Sequence, residues 1–213
     1  MPRFLCKVEP GVTAIIGKAY CGKSTLARDR VSKQGGRWIV FDSQRSEAWN
    51  RFPSIDTVAA AYRFLGSGDS AGTRWIRVIR LEGLAGYESL AQTAPYWRGV
   101  HWLIDDAGGL LHSSIIADAM VDVATTGRHK GDGAGVELWV CAHRAMEIPR
   151  AVRSQFERVI AFRQDEPDDL KKLAERTGAN FVKQLPALKL GKFLEWSSAD
   201  LFSSVRSRRG AKA

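Results

Sequence analysis

The sequence predicts an α/β fold in which helices flank a central, mostly parallel sheet. Three observations support this prediction. Short apolar segments alternate with longer helical ones, which is typical of parallel strands joined by helices. A glycine-containing loop joins the first predicted strand to the first predicted helix, and two adjacent acids end a later strand. No internal repeat or long linker interrupts the pattern, so we expect one domain over residues 1–202 and a basic, flexible tail over 203–213.

Six short segments rich in β-branched and aromatic residues are predicted strands. They span 13–17, 37–42, 75–81, 100–106, 136–143 and 158–163. The first is compact and ends in glycine, and the fourth is a buried strand that ends in two acids. Near the C-terminus, residues 187–196 are predicted to form a hairpin that turns at Gly191-Lys192.

Three longer segments, 24–34, 114–128 and 166–178, are predicted helices. The first stops at two glycines, and the last has a proline and acids in its first turn and a glycine at its end. In the second, apolar residues recur at helical spacing on one face: Ile115, Ile116, Ala119, Met120, Val123 and Ala124. Residues 51–74 have no clear periodicity, and 64–74 have the composition of a loop.

The chain is basic, with 32 lysines and arginines against 23 acids and a formal net charge of +9. A basic protein of this size commonly binds a polyanion, most often nucleic acid. Genome base composition can also enrich arginine, so the charge alone leaves both interpretations open.

The cysteines and the apolar segments indicate the compartment. Cys6, Cys21 and Cys141 are odd in number and far apart, which favours free thiols over disulfides or a zinc site. No apolar run approaches the roughly 18–20 residues that span a bilayer, and the N-terminus lacks the apolar stretch of a signal peptide. We therefore expect a chain without a transmembrane segment that stays in the cytoplasm.

A phosphate-binding loop lies between the first strand and the first helix. Gly17-x4-Gly22-Lys23-Ser24 matches the Walker A motif, and Thr25 follows it. The glycines allow backbone N–H groups to face phosphate oxygens, and the following helix presents its positive end to them. Lys23 would bind the β and γ phosphates of ATP, and the Ser24 hydroxyl would ligate Mg²⁺.

The segment HWLIDD supplies the matching acids. Its strand would bring Asp105 to the carboxyl edge of the sheet, beside the phosphate-binding loop, where Asp105 would hold Mg²⁺. Asp106 would then lie near the attacking water as general base. The alternative is that Asp106 caps the next helix. Small-molecule kinases do not generally need this acidic pair, so the pair favours hydrolysis.

Two further residues are candidates for a catalytic role. His143 ends the strand at 136–143, where a polar side chain can reach the γ-phosphate or the attacking water; alternatively it bonds to a loop. Arg128 is the last residue of the predicted helical segment 114–128 and could act on the nucleotide of a neighbouring subunit, or it could offset the helix dipole. Other arginines could take the same role: Arg144, Arg150 and Arg153.

The order of these motifs resembles the FtsK–HerA superfamily of DNA-pumping ATPases, and within it the genome-packaging ATPases of membrane-containing icosahedral viruses. The family has an acid and often a glutamate after strand two, matched by Asp42 and Glu47. It has an arginine, matched by Arg128, before a strand that ends in glutamine, a position held here by His143. It also has a characteristic segment that this chain matches at Ile148, Pro149, Val152, Arg153, Phe156, Phe162 and Arg163.

The resemblance implies a P-loop NTPase of the RecA-like (ASCE) type, a homo-oligomeric ring, most often a hexamer, that binds ATP between subunits and pumps double-stranded DNA through a basic channel. It implies packaging into a preformed capsid, partners at the capsid vertex or on the membrane, and a location in the host cytoplasm or at the packaging vertex of the virion. Candidate DNA contacts are 128–130 and four tail residues: Arg206, Arg208, Arg209 and Lys212. Two departures matter. Histidine stands for glutamine at 143, and Asp106 stands where many relatives carry glutamate, so Glu47 becomes a second candidate base.

Other functions remain open from the residues alone. One is an ATPase for assembly or secretion, like those that extrude filamentous phage, although that group usually has a membrane-spanning helix. Another is a dimeric partitioning ATPase, suggested by Lys18 in the loop, although those loops usually carry more glycine. A nucleoside or nucleotide kinase is a third.

Overall fold

A computed structural model describes residues 11–67, 72, 74–126 and 135–199, and its strands form one sheet. The strands are β1 (Val12–Ile16), β2 (Arg37–Asp42), β3 (Ser54–Ile55), β4 (Trp75–Ile79), β5 (Val100–Asp105), β6 (Val136–Ala142), β7 (Phe156–Phe162) and β8 (Phe193–Ser197). Within the described ranges their order in the sheet is β3-β4-β2-β5-β6-β1-β7-β8. Neighbours are parallel except for β7 and β8, which run antiparallel.

Helices cover both faces of this sheet. They are α1 (Lys23–Gln34), α2 (Val58–Gly66), α3 (Leu84–Ala91), α4 (Ala107–Leu110), α5 (Ser114–Thr126), α6 (Arg150–Arg153), α7 (Pro167–Thr177) and α8 (Ala179–Val182). The described ranges also contain four 3-10 helices: Glu47–Trp49, Ala94–Tyr96, Ala145–Glu147 and Leu185–Ala187. Among the described residues, no helix combines the length and the apolar character needed to span a bilayer.

In the part of the chain that the structure describes, the core consists of two hydrophobic clusters, one on each face of the sheet. The smaller cluster joins Ile15, Val40 and Leu103 of the sheet to Ala27 and Val31 of α1. The larger one takes the alternate strand residues and packs them against the helices of the opposite face. Because both faces are covered, β1, β2 and β5 are buried along their whole length, which explains their nearly continuous apolar sequences.

The strand register brings the functional segments to one edge of the sheet. In the pairing of β2 with β5, Asp42 lies opposite Asp105. The loop after β1, the segment after β2, the acids after β5 and the histidine after β6 all follow the carboxyl ends of neighbouring parallel strands. Ligands bind at this edge in open parallel sheets.

The predicted fold class, an α/β sheet of mostly parallel strands flanked by helices, is confirmed. Each of the six predicted strands and three predicted helices is present, with ends within two residues of the prediction wherever the structure describes them. The prediction of a loop over 64–74 was wrong in part, since α2 extends to Gly66. The apolar face assigned to α5 needs one correction, because Ile115 is 36% exposed while its five companions are buried.

The predicted C-terminal hairpin was also wrong. The residues before Gly191 form a 3-10 helix and a turn, and Leu190 is 82% exposed. The single strand β8 pairs instead with β7, with Phe193 opposite Phe162 and Arg158 opposite Ser197. The seven-residue strand β7 offers β8 a partner along its whole length, whereas Ala187 belongs to a 3-10 helix and only Leu188 to Leu190 remain before the turn.

Candidate functional site

The loop from residue 17 to residue 22 joins β1 to α1 and is held close to β7. A Cβ atom on Gly17 would lie 2.6 Å from Cys21 Sγ and 2.7 Å from Phe162 Cβ, so only glycine fits there. Gly22 has φ +103°, a left-handed conformation that favours glycine. These two glycines explain the motif spacing, because they allow the loop to turn tightly before α1 begins at Lys23.

The Lys23 ammonium lies inside this loop. Its Nζ donates to the carbonyl oxygens of Gly17 at 2.7 Å and Lys18 at 2.9 Å, and lies 3.4 Å from His143 Nδ1. Only 7% of the residue is exposed. A buried cation beside the positive end of a 12-residue helix makes this loop a site for an anion.

Asp105, at the end of β5, accepts hydrogen bonds from Ser24 and Trp49. Ser24 Oγ donates to Asp105 Oδ1 at 3.0 Å, and the indole Nε1 of Trp49 donates to Asp105 Oδ2 at 2.7 Å. Burial raises the pKa of the Asp105 carboxyl above its ordinary value, and the two hydrogen bonds oppose that rise by stabilising the charged form. A buried carboxylate and a hydroxyl in contact are oxygen donors suited to a hard cation.

Asp106 contacts His143 across the cleft. Asp106 Oδ1 lies 3.2 Å from His143 Nε2, and both side chains are about one-third exposed. Asp106 occupies the N-cap position of α4 with φ +56°, but its side chain makes no capping hydrogen bond. The capping alternative is therefore wrong, and the carboxylate faces the cleft instead.

The backbone of His143 is fixed by its own neighbours. Its N–H donates to Glu147 Oε2 at 3.1 Å, and its carbonyl accepts from Gln164 Nε2 at 3.0 Å. The ring therefore projects from a rigid strand end between Lys23 and Asp106.

The segment after β2 is tied down by a buried ion pair. Asp42, which is 1% exposed, accepts from Arg80 Nε at 2.8 Å and from the Ser46 N–H at 2.9 Å. Arg80 also donates to the Ser46 carbonyl at 2.9 Å. These bonds hold the 3-10 helix that carries Glu47, whose exposed side chain lines the cleft, and Trp49.

The predicted residues line one cleft of about 820 Å³. Those brought together are Gly22, Lys23, Ser24, Thr25, Glu47, Asp105, Asp106 and His143. Gly17 shapes the loop from behind. Arg128 and the proposed DNA contacts at 128–130 and in the tail lie outside the residues that the structure describes.

Two of the three alternative arginines, Arg144 and Arg153, have local partners, as does Lys18. Arg144 Nε donates to the buried Asp169 at 2.9 Å, and Arg153 donates to the carbonyls of Ala145 and Ile148. Lys18 Nζ pairs with Asp165 Oδ1 at 2.5 Å. Arg144, Arg153 and Lys18 therefore make contacts within their own chain.

Sequence reasoning missed Trp49, Ser46 and Arg80, which position the site, and three residues that line the cleft: Tyr20, Arg28 and Gln44. The one available signal was a tryptophan two positions after Glu47 in an otherwise polar segment. Its contact with Asp105 depends on the pairing of β2 with β5, which local sequence does not reveal.

Comparison with known proteins finds similarity in structure alone. No protein-family profile and no curated protein sequence matches the chain. The genome-packaging NTPase B204 of Sulfolobus turreted icosahedral virus 2, in complex with ATP-γS, superposes with a TM-score of 0.65 at 16% identity, over 90% of this chain and 94% of that one. The complex of the same NTPase with AMPPCP gives 0.66 at 18% identity, over 91% and 95%.

Larger proteins contain a similar domain. The pCW3 conjugation coupling protein TcpA gives a TM-score of 0.59 at 14% identity, over 90% of this chain and 58% of that one. EssC of Geobacillus thermodenitrificans gives 0.54 at 11% identity, over 89% and 38%. The chain has the fold that these ATPases share, which confirms the P-loop NTPase fold expected from the resemblance.

Proposed function

We propose that this chain is an ATP-hydrolysing motor that moves double-stranded DNA into a preformed viral capsid. The observation that carries the proposal is the cleft in which Lys23, Ser24, Asp105, Asp106 and His143 converge at the carboxyl edge of the sheet. The likeness to a genome-packaging NTPase over 90% of this chain and 94% of the other supports it.

ATP is the proposed substrate. Lys23 and the N-terminal end of α1 would bind the β and γ phosphates of ATP. Thr25, in the first turn of α1, lines the same cleft and would also contact the nucleotide. The cleft, at about 820 Å³, falls within the range of about 300–1,000 Å³ common for small-molecule sites. Complexes of B204 with ATP-γS and AMPPCP make the same class of ligand a reasonable choice here.

The residues present fit a magnesium ion. Ser24 and Asp105 offer the hydroxyl and carboxylate oxygens that Mg²⁺ prefers. Among the described residues, no group of three or more His, Cys, Asp or Glu side chains is arranged to hold a metal ion. Mg²⁺ usually binds through one or two carboxylates together with substrate phosphates and water, so ATP and solvent would supply the other ligands here. When bound, the ion would neutralise charge that develops on the phosphates.

Asp106 is the proposed general base. It would accept a proton from the water that attacks the γ-phosphorus, while the bond from that phosphorus to the β,γ-bridging oxygen breaks and ADP leaves. His143 would hold Asp106 in place through Nε2–H and face Lys23 through Nδ1. Glu47 lines the same cleft from the opposite segment and is the alternative base.

Pumping DNA requires an assembly, since one domain of this size cannot encircle a duplex. We propose a homo-oligomeric ring, with six subunits as the expected number, and Arg128 as the residue that reaches the neighbouring nucleotide. The net charge of +9 suits sequence-independent contacts with the phosphate backbone. Capsid-vertex or membrane-associated packaging proteins would be the partners, in the host cytoplasm or at the virion vertex.

ATP hydrolysis with and without duplex DNA tests this function. The wild-type rate should rise with duplex DNA, and Lys23→Ala should lower it by at least about 100-fold because the phosphate-binding charge is lost. Lys18→Ala is the matched control, since Lys18 pairs with Asp165 at the surface. Undiminished hydrolysis by Lys23→Ala would contradict the proposal, as would its absence from the wild type with DNA present.

A secretion or assembly ATPase is the second candidate. The domain similarity to the type VII secretion ATPase EccC of Thermomonospora curvata favours it, with a TM-score of 0.51 and 15% identity over 88% of this chain and 25% of that one. Hydrolysis that is indifferent to duplex DNA would favour this candidate over a DNA motor. The partitioning-type switch gains no support, because Lys18 is engaged by Asp165 of its own chain.

A further inference from the structure

Trp49 makes a contact that the proposed reaction does not yet use. It ends the 3-10 helix Glu47–Trp49 and is completely buried. Its indole N–H, the one hydrogen-bond donor of the side chain, points to Asp105 Oδ2 at 2.7 Å. The other oxygen, Oδ1, faces Ser24 Oγ at 3.0 Å. Each oxygen accepts one of these hydrogen bonds, but the Ser24 hydroxyl can turn its proton away from Oδ1, whereas the indole N–H has a single fixed direction.

The surroundings of Trp49 hold the indole in this position. The ring belongs to the same hydrophobic cluster as Ile15, Val40 and Leu103 and packs 6.0 Å from the ring of Phe52. The backbone on its N-terminal side is anchored through Ser46 to Asp42 and Arg80. Because a buried ring and an anchored backbone both resist movement, the indole can leave Oδ2 only if the segment is displaced.

We propose that Trp49 is a specificity-determining residue that makes the Asp105 site selective for magnesium over calcium. The indole N–H is held against Oδ2, so the oxygen that Asp105 can offer to a cation is Oδ1, beside the rotatable Ser24 hydroxyl. Mg²⁺ is octahedral and accepts a single carboxylate oxygen, at about 2.0–2.1 Å, whereas Ca²⁺ takes 6–8 oxygens at about 2.3–2.6 Å and often binds both oxygens of a carboxylate. The inference rests on the proposed nucleotide site.

The buried position of Asp105 strengthens this effect. Asp105 is 2% exposed, so water cannot readily replace the indole at Oδ2. Hydrogen bonds from outer residues orient metal-binding carboxylates and typically change metal affinity by about 10- to 100-fold when removed. Trp49 has the place and the donor for that role.

The test is a titration of nucleotide binding with metal, using a fluorescent, non-hydrolysable ATP analogue with Mg²⁺ or Ca²⁺. Trp49→Phe keeps the ring and removes the N–H. It should raise the half-saturating Mg²⁺ concentration by about 10-fold or more and lower the preference for Mg²⁺ over Ca²⁺ by a similar factor. Trp49→His, which restores a ring N–H, should recover part of the preference.

Trp139→Phe is the matched control. Trp139 lies in the same hydrophobic cluster, but among the described residues its indole N–H has no hydrogen-bond partner. This variant should keep the wild-type preference. A preference within about twofold of wild type in Trp49→Phe would overturn the role of Trp49, given the expected 10-fold effect. Absence of any metal-dependent binding in the wild type would instead overturn the proposed nucleotide site.

If Trp49→Phe does not fold, the wild-type protein decides. With Mn²⁺ in place of Mg²⁺ and the nucleotide analogue bound, the paramagnetic ion should broaden one indole N–H resonance more than the others. That resonance should lie downfield and exchange slowly with solvent in the Mg²⁺ complex. Fast exchange would mean that the indole has left Oδ2, and the selecting role would be rejected.

Discussion

At the scale of single residues, three side chains contact one another in sequence across the cleft. Lys23 Nζ lies 3.4 Å from His143 Nδ1, and His143 Nε2 lies 3.2 Å from Asp106. One imidazole therefore touches both the residue proposed to bind phosphate and the proposed base. The FtsK–HerA family, which the sequence resembles, usually has glutamine at this position. The single amide group of glutamine can reproduce only part of the bridge that His143 forms between Lys23 and Asp106.

Replacement of His143 tests the bridge. His143→Ala should lower the ATPase kcat by about 10- to 100-fold, because Asp106 loses the group that orients it. His143→Gln should retain more activity, since its amide can still donate to Asp106. Steady-state kinetics at saturating ATP provide the measurement. His112→Ala is the control, as His112 is exposed and does not line the cleft; a His143→Ala rate equal to this control would contradict the role.

At the scale of elements, the hydroxyl group of Tyr87 connects helix α3 to the end of strand β4. Tyr87 donates to the Ile79 carbonyl and accepts from the Leu81 N–H, both at 3.1 Å. The residue is 2% exposed, and burial raises its pKa to about 12 from the ordinary 10.0. The Tyr87 hydroxyl must therefore stay protonated to donate the hydrogen bond that connects α3 to Ile79.

This attachment predicts a loss of stability at high pH. Since the folded-state pKa exceeds the unfolded one, the contribution of Tyr87 is complete below pH 10.0 and falls between pH 10.0 and about 12 as the unfolded chain ionises first. At pH 11 the wild type should have lost about 1.4 kcal/mol more unfolding free energy than Tyr87→Phe, relative to pH 8. Denaturant unfolding at the two pH values measures the difference, and equal losses would contradict it.

The same elements explain what the sequence could and could not predict. Strands such as β2 and β5 were predictable because burial on both faces makes their residues apolar throughout. The sequence did not predict helix α3, because it contains Gly86 and follows Gly83, and glycine disfavours helices. A Cβ at Gly86 would lie 3.0 Å from Leu81 and 3.1 Å from Val58, so packing requires a residue that disfavours helices.

The candidate site was predictable to the extent that each residue belongs to a local motif. Lys23, Ser24 and Asp105 stand at fixed places in a strand and loop pattern, so the residues proposed from sequence meet in one cleft. Trp49 and Arg80 could not be found this way, because their contacts join segments that are distant in the chain.

At the scale of the whole molecule, the proposed DNA motor requires that the chain work next to copies of itself. With duplex DNA and a non-hydrolysable ATP analogue, we predict a closed ring whose mass corresponds to six subunits. The DNA affinity should fall steeply between about 50 and 200 mM salt, as it does when phosphate contacts dominate. Mass photometry across this range measures both, and a monomer under all conditions would contradict the ring.

The borders of the sheet have a consequence for how such copies can meet. On one side β3 has only two residues, and on the other β8 carries Glu195, which Arg30 and Arg158 bind. Short or charged margins resist the addition of a foreign strand. Neighbouring subunits would therefore touch through side chains and loops rather than through a shared backbone ladder. Joints of that kind let one domain tilt against the next, whereas a continuous ladder would lock them into a rigid fibre.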